Sequence, residues 1–258
     1  MAEFDAWAEY YDIIHQGLPG EAEFYVGQAV RIGGRTLELG CGTGRIAIPM
    51  AMSGVEVTGL DRSEAMLAIC REKLSAVGPL SGSLQLVNAD MTSFELGQQF
   101  DFIAMPYRTF MHVHGVEQQR ACLRCIHEHL ADDGVCVLNT WSPSASVIAA
   151  HSVEREFERV DEYELDDTEN HLQHYHRAIY DEERQRIVEE HLIDEVREDG
   201  QVVNSVTLPL VRVWTYPREL QHLITLCGFR TEAVFGDFEC NPRTAATSEQ
   251  IIVLRKMT

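Results

Sequence analysis

Nine residues near the start of the chain, Thr36-Leu37-Glu38-Leu39-Gly40-Cys41-Gly42-Thr43-Gly44, constrain the fold more than any other stretch. The first four have the character of a buried strand, and the rest alternate glycines ahead of a helix predicted to begin at Arg45. Glycine has no Cβ and tolerates positive φ, so such a loop lets main chain approach a small ligand closely. The helix behind it aims unpaired N–H groups at the same spot. Strand, glycine loop and helix in that order predict an open α/β sheet holding a nucleotide-like cofactor at the carboxyl end of its first strand.

The remaining pattern extends that sheet. Aromatic and apolar residues at helical spacing (Phe4, Trp7, Tyr10, Tyr11, then Phe24 and Tyr25) predict two N-terminal helices broken at Gly17-Leu18-Pro19-Gly20. Strands are predicted at 35–40, 55–60, 83–88, 100–105 and 134–140, with helices at 44–53, 63–77 and 116–130 between them. Strands alternating with helices imply a doubly wound, Rossmann-like parallel sheet. The pattern changes at Ser142: residues 151–200 hold eighteen acids against six arginines, and 172–180, 186–196 and 202–213 alternate as strands do. Asp199-Gly200 signals a hairpin between the last two. Pro217 then opens a helix, and 229–235 with 250–255 complete the sheet, for seven strands, mostly parallel with an antiparallel last strand. The expected organisation is a helical cover at 1–34, a cofactor-binding core at 35–141 and 216–258, and an antiparallel β lid insertion at 142–215.

Composition narrows the partners. A formal charge of −20, from 41 acids and 21 Lys+Arg, opposes attraction to nucleic-acid phosphates or anionic membranes. No apolar run approaches the roughly 18 residues of a membrane-spanning helix. The opening residues, Met1 to Trp7, are acidic and aromatic, unlike a signal peptide. Seven cysteines, an odd number scattered through apolar segments, fit free thiols in a reducing cytoplasm. The expectation is a cytoplasmic protein, monomer or homodimer, with no nucleic-acid or membrane partner.

The loop itself discriminates among ligands. A dinucleotide site usually needs G-x-G-x-x-G/A, and here Arg45 stands where the third small residue belongs. No Gly-Lys-Ser/Thr follows, which excludes a phosphate loop. Leu37 to Gly44 resembles the first motif of class I S-adenosylmethionine-dependent methyltransferases. Asp61, at the end of strand two, matches that family's acid for the ribose hydroxyls, and Asn88-Ala89-Asp90-Met91 resembles its adenine-binding segment. Trp214 to Leu220 and Leu226-Cys227-Gly228-Phe229 resemble the small-molecule branch of the family.

The resemblance implies S-adenosylmethionine as cofactor, with the glycine loop (Gly40, Cys41, Gly42, Gly44) near its methionyl end and Glu38 positioning the amino-acid portion. One carboxylate suits a vicinal diol, which Asp61 supplies; Asp90 is placed to accept from the adenine amino group while Met91 packs on the ring. Arg62 either stacks on the adenine or is simply solvated. The segment from Pro106 to His114 follows strand four, where the family lines the methyl-donor end and the acceptor pocket.

Methyl transfer needs positioning, desolvation and, for a protonated acceptor, removal of a proton. His112 has the intrinsic pKa for that and is the first candidate base or orienter; the alternative is a surface histidine. Tyr107 and Arg108 are candidate acceptor contacts, Arg108 through a carboxylate or phosphate or, equally, paired with one of the many acids. Tyr11 is a candidate to fold over the donor or merely to pack its helix. In the lid, strand alternation puts His174 and His176 on one face and His171, Tyr175 and Arg177 on the other, and Tyr175 is the candidate for acceptor binding. No third ligand is spaced to complete a metal site with His174 and His176, so no metal is expected. The Cys122-x-x-Cys125 and His129 set fits the packed face of a helix. Glu182-Glu183 and Glu189-Glu190 are expected to be solvated. The expected function is methyl transfer to N, O or S of a small-molecule acceptor; the alternatives are non-methylating S-adenosylmethionine chemistry on the same fold, or a non-catalytic interaction protein.

Overall fold

The computed structural model describes residues 2–153, 155–165, 169–244 and 247–257. It divides into two compact units, the first comprising Met1–Ser142 and Thr215–Thr258, the second Pro143–Trp214. In chain order a short 3-10 turn, Glu3–Asp5, precedes α1 (Ala8–Ile14) and α2 (Glu21–Ile32). Then come β1 (Arg35–Leu39), α3 (Ala47–Met52), β2 (Glu56–Asp61), α4 (Glu64–Ala76), β3 (Ser83–Asn88) and β4 (Phe100–Met105). A 3-10 turn at Thr109–His112 leads into α5 (Val116–His129) and β5 (Leu130–Trp141). The second unit holds α6 (Ala145–Ala150), β6 (Glu158–Glu164), β7 (His171–Asp181), β8 (Arg186–Val196) and β9 (Val202–Val213). The chain ends with α7 (Pro217–Leu226), β10 (Phe229–Phe235) and β11 (Glu249–Lys256).

The first unit is the expected seven-stranded sheet, in the order β10-β11-β5-β4-β1-β2-β3. The pairings among β5, β4, β1, β2 and β3 are parallel, and β11 runs antiparallel to both β5 and β10. Strand alternation sends Ile103 and Met105 of β4 into a core under α5 and α7, and Phe102 and Ala104 into a core under α2 and α3. Helices on both faces of a parallel sheet leave its carboxyl edge open for ligands. Two local features differ from the sequence reading. The helix after the glycine loop starts at Ala47 rather than Arg45, because Gly44 still holds a φ of 84°. β5 begins at Leu130, four residues before the expected Gly134. Cys122, Cys125 and His129 are core residues, as expected; the His129 ring spans the carbonyl of Cys125 at 2.8 Å and the amide of Leu96 at 3.0 Å. Among the described residues no helix is long and apolar enough to cross a membrane.

The second unit is a four-stranded antiparallel sheet, β6-β7-β8-β9. β6 is the strand the sequence reading missed, since Glu158-Arg159-Val160-Asp161-Glu162-Tyr163-Glu164 is charged on both faces and almost wholly exposed. Charge of that kind keeps an edge strand from recruiting another chain. Glu189 is a correction. It is 3% exposed rather than solvated, and its carboxylate takes both Nε and Nη2 of Arg212 at 2.6 Å. Burial alone would raise this carboxyl, but Arg212 and His176 hold it well below the usual carboxylate range. A depressed acid stabilises the fold fully above its unfolded value of about 4.3 and loses that contribution as pH falls toward the folded value. Thermal unfolding followed from pH 7 into the acid range is therefore expected to show a steep loss below about pH 4.3 that Glu189→Gln flattens. Superimposable pH profiles of the two proteins would rule this out.

Candidate active site

The site is built at the carboxyl ends of β1, β2, β3 and β4. Glu38 is 2% exposed on β1, and its Oε2 has no hydrogen-bond partner among the described residues. Burial pushes its carboxyl well above the ordinary range against the pull of Arg45, with Glu21 and Asp61 raising it further. A buried carboxylate oxygen in that condition calls for a ligand donor. The glycine loop then turns beside it. Gly40 has φ 70°, and an added Cβ would lie 2.5 Å from Cγ2 of Thr109. At Gly44 the Cβ would meet Sγ of Cys70 at 2.5 Å. Main chain is thus packed where any side chain would intrude.

Asp61 ends β2 and is tied to the loop. Its Oδ2 accepts from the Gly42 amide at 2.9 Å and its Oδ1 from the Ser63 amide at 2.8 Å. Burial raises its carboxyl, while those two amides work in the opposite direction. Ser63 caps α4, accepting from the Met66 amide at 3.2 Å. After β3, Asp90 is exposed and its Oδ1 accepts from the Thr92 amide and hydroxyl, so it organises its own turn. Met91 packs against the apolar core. Arg62 forms an ion pair with Glu3 at 3.6 Å.

The segment after β4 is the most strained in the site. Pro106 is buried, and its carbonyl accepts from the amide and hydroxyl of Thr109. Tyr107 and Arg108 follow with φ of 53° and 60°, two consecutive non-glycine residues in the left-handed region. Such conformations persist only where the surroundings over-determine them. Here Glu21, 0% exposed on α2, accepts from the Tyr107 amide at 2.6 Å and from Arg45 at 2.6 Å. Asn139 accepts from the Arg108 amide at 3.3 Å, and the Arg108 guanidinium pairs with Glu249. The Arg45 guanidinium lies over the Tyr107 ring, 4.8 Å from its centre.

The N-terminal segment supplies the other wall. Asp12 accepts from the Thr43 hydroxyl at 2.6 Å, and Asp5 from the Ser63 hydroxyl at 2.7 Å. The Phe4 ring meets His112 edge-on at 5.0 Å and Tyr11 at 6.0 Å. Burial, then the neighbouring Tyr107, push the Tyr11 phenol above its ordinary value. Tyr11 is therefore protonated near neutrality, a hydrogen-bond donor rather than a base. Glu38, the loop, Asp61, Pro106, Tyr107, Arg108, His112 and Tyr11 all lie in the first unit around these strand ends. Tyr175 lies in the second unit, where its hydroxyl donates to Gln173 at 2.9 Å.

Glu21, Arg45, Asn139 and Glu249 are site residues that the sequence reading did not single out. Glu21 did carry a signal: it shares the buried face of α2 with Phe24 and Tyr25, at i, i+3 and i+4. An acid in an apolar stripe needs a partner.

Residues 36–134 match the family model described as a methyltransferase domain. The chain carries a class I S-adenosylmethionine-dependent methyltransferase domain. A solved structure of the CcbJ methyltransferase from Streptomyces caelestis superposes on this methyltransferase with a TM-score of 0.79 and 26% identity, covering 97% of this chain and 96% of that one. The cypemycin N-terminal methyltransferase of a Streptomyces species is 25% identical over 96% of this chain and 95% of its own. The dTDP-3-amino-3,6-dideoxy-alpha-D-glucopyranose N,N-dimethyltransferase of Streptomyces fradiae is 29% identical over 52% of each chain. The methyltransferase spans about half the length of the curated relatives it matches over this region, 58% of one and 52% of another. S-adenosylmethionine is the cofactor of this family, and the unpartnered Glu38 oxygen, the glycine loop and the Asp61 carboxylate fit such a group.

Proposed function

We propose that this protein methylates an amine nitrogen of a small molecule, with S-adenosylmethionine as donor. The observation that carries the donor half is the buried Oε2 of Glu38 without a partner, which suits the ammonium of the methionyl portion. Asp61 would hold the ribose hydroxyls, Gly40, Cys41, Gly42 and Gly44 would bring main chain against the donor, and Asp90, Met91 and Arg62 would flank the adenine. When bound, the cofactor supplies a sulfonium-activated methyl group for in-line displacement.

The remaining work is orientation and proton handling by the chain. Pro106, Tyr107 and Arg108 would shape the acceptor end. His112 would orient the amine or accept its proton, and the Tyr11 hydroxyl would donate a hydrogen bond nearby. Nitrogen is favoured over oxygen or sulfur because a chain with a formal charge of −20 suits a cationic acceptor. Two relatives bear names that specify N,N-dimethylation. The reading places the protein in the cytoplasm as a monomer or homodimer acting on a diffusible acceptor.

The deciding assay uses donor labelled in its methyl group, with amino sugars and free N-terminal peptides beside their hydroxyl and thiol counterparts. Label transfer to the amines alone is the expected result; transfer only to the hydroxyls or thiols overturns the nitrogen assignment. His112→Ala is expected to lower kcat about 100-fold, the scale of a lost general acid–base group. An unchanged kcat takes His112 out of the chemistry.

A further inference from the structure

One face of the second unit's sheet is largely buried and apolar, with a cluster of titratable side chains set into it. Leu172 and Ala178 of β7, Ile187 and Ile193 of β8, and Leu208 and Leu210 of β9 are all buried. Set among them are His174 and His176 of β7, Glu189 and His191 of β8, and Arg212 of β9. The pairing register puts His176 directly opposite His191, and Glu189 lies two residues from His191 on the same face. His174, Glu189 and His191 are 6%, 3% and 7% exposed. One ligand atom each from His176, Glu189 and His191 lies within 4.8 Å of the other two. His176 Nε2 is 3.1 Å from Glu189 Oε1, and His191 Nδ1 is 2.9 Å from His174 Nε2. Nδ1 of His174 is buried and has no hydrogen-bond partner among the described residues.

We propose that His176, Glu189 and His191 bind a divalent transition-metal ion, with His174 as the residue that positions His191. Two imidazoles and one carboxylate form a donor set suited to zinc, cobalt or nickel, whereas calcium and magnesium take oxygen ligands. A metal-binding histidine characteristically donates its second ring N–H to a neighbour that fixes its orientation. Coordination through Nε2 of His191 leaves Nδ1–H facing Nε2 of His174, the contact already in place. Along-strand spacing offers only His174 and His176; β8 supplies the remaining ligands across the sheet.

Arg212 defines how the site differs from an ordinary one. Its guanidinium occupies one side of both Glu189 oxygens at 2.6 Å, and the second lone pair of Oε1 faces His176 Nε2. The ion would therefore enter on the side facing His176, beside a carboxylate already neutralised. A guanidinium so close opposes a dication, so removing its charge should tighten binding, which a merely structural role for the cluster would not do.

The test is a titration of the full-length, chelator-treated chain with Co2+, read by visible absorption, followed by displacement with Zn2+. One Co2+ per chain with visible ligand-field bands, lost on zinc addition, is expected, together with a higher Tm in zinc than in chelator. His176→Gln and His191→Gln should each weaken binding at least about 10-fold, and His174→Gln about 10- to 100-fold. His171→Gln, on the opposite face, should leave binding unchanged, and Arg212→Gln should strengthen it. Absence of visible bands together with an unchanged Tm in the parent protein overturns the site, whatever the variants do. Undiminished binding in a folded His176→Gln/His191→Gln double variant, checked by circular dichroism, also overturns it.

Discussion

Glu21→Ala is expected to destabilise the protein by about 3 kcal/mol and to abolish most turnover. The carboxylate is 0% exposed and accepts from the Arg45 guanidinium, the Tyr107 amide and, at 3.4 Å, the Leu18 amide. Removing one member of a buried ion pair leaves the other charge poorly solvated, at a cost of about 3–5 kcal/mol. Arg45 is 19% exposed, so the lower end of that range applies. The loss also frees Tyr107 from the bond that holds it left-handed, and the segment carrying Arg108 and His112 relaxes with it. Glu21→Gln keeps an acceptor for the amide and should fall between the alanine variant and the parent. Thermal unfolding and methyl-transfer kinetics on the three proteins measure both effects; a Tm for Glu21→Ala within a degree of the parent would sink the assignment.

Asp61→Ala is expected to weaken S-adenosylmethionine binding by about 1–3 kcal/mol, or roughly 5- to 150-fold, because the ribose hydroxyls lose their proposed acceptor. The same substitution releases the Gly42 and Ser63 amides, so the loop and the start of α4 lose a shared anchor. Asp61→Asn separates the two contributions. It retains one acceptor for an amide of the loop but lacks the second, and its binding should stay impaired even if Tm recovers. Calorimetry that finds the alanine variant binding as tightly as the parent would remove Asp61 from the cofactor site.

The sheet was legible because β1 to β4 are short strands rich in apolar residues and ended by glycine, proline or a polar residue, and these signals are local. The places where reading failed are those where partners lie far apart in sequence. Arg108 pairs with Glu249, which opens the last strand, and no spacing near either residue announces that contact. β6 was hidden because both of its faces are charged and exposed, which removes the period-2 hydrophobic alternation that marks a half-buried strand. Spacing along β7 pairs His174 with His176 alone, whereas the register with β8 sets His191 and Glu189 beside them, a juxtaposition no local pattern announces. Glu21 is the exception, an acid in an otherwise apolar helical stripe whose oddity was visible in the sequence itself.

The left-handed pair at Tyr107 and Arg108 has a consequence for how this protein can change. Non-glycine residues in that region each carry a strain of about 1–3 kcal/mol. Glycine or asparagine would occupy the same backbone more comfortably. Heat tolerance and turnover therefore pull in opposite directions at these two positions: substitutions that relax the segment discard the Tyr107 ring and the Arg108 guanidinium that the proposed acceptor site uses. Selection for robustness alone would erode this corner of the site before it touched the sheet.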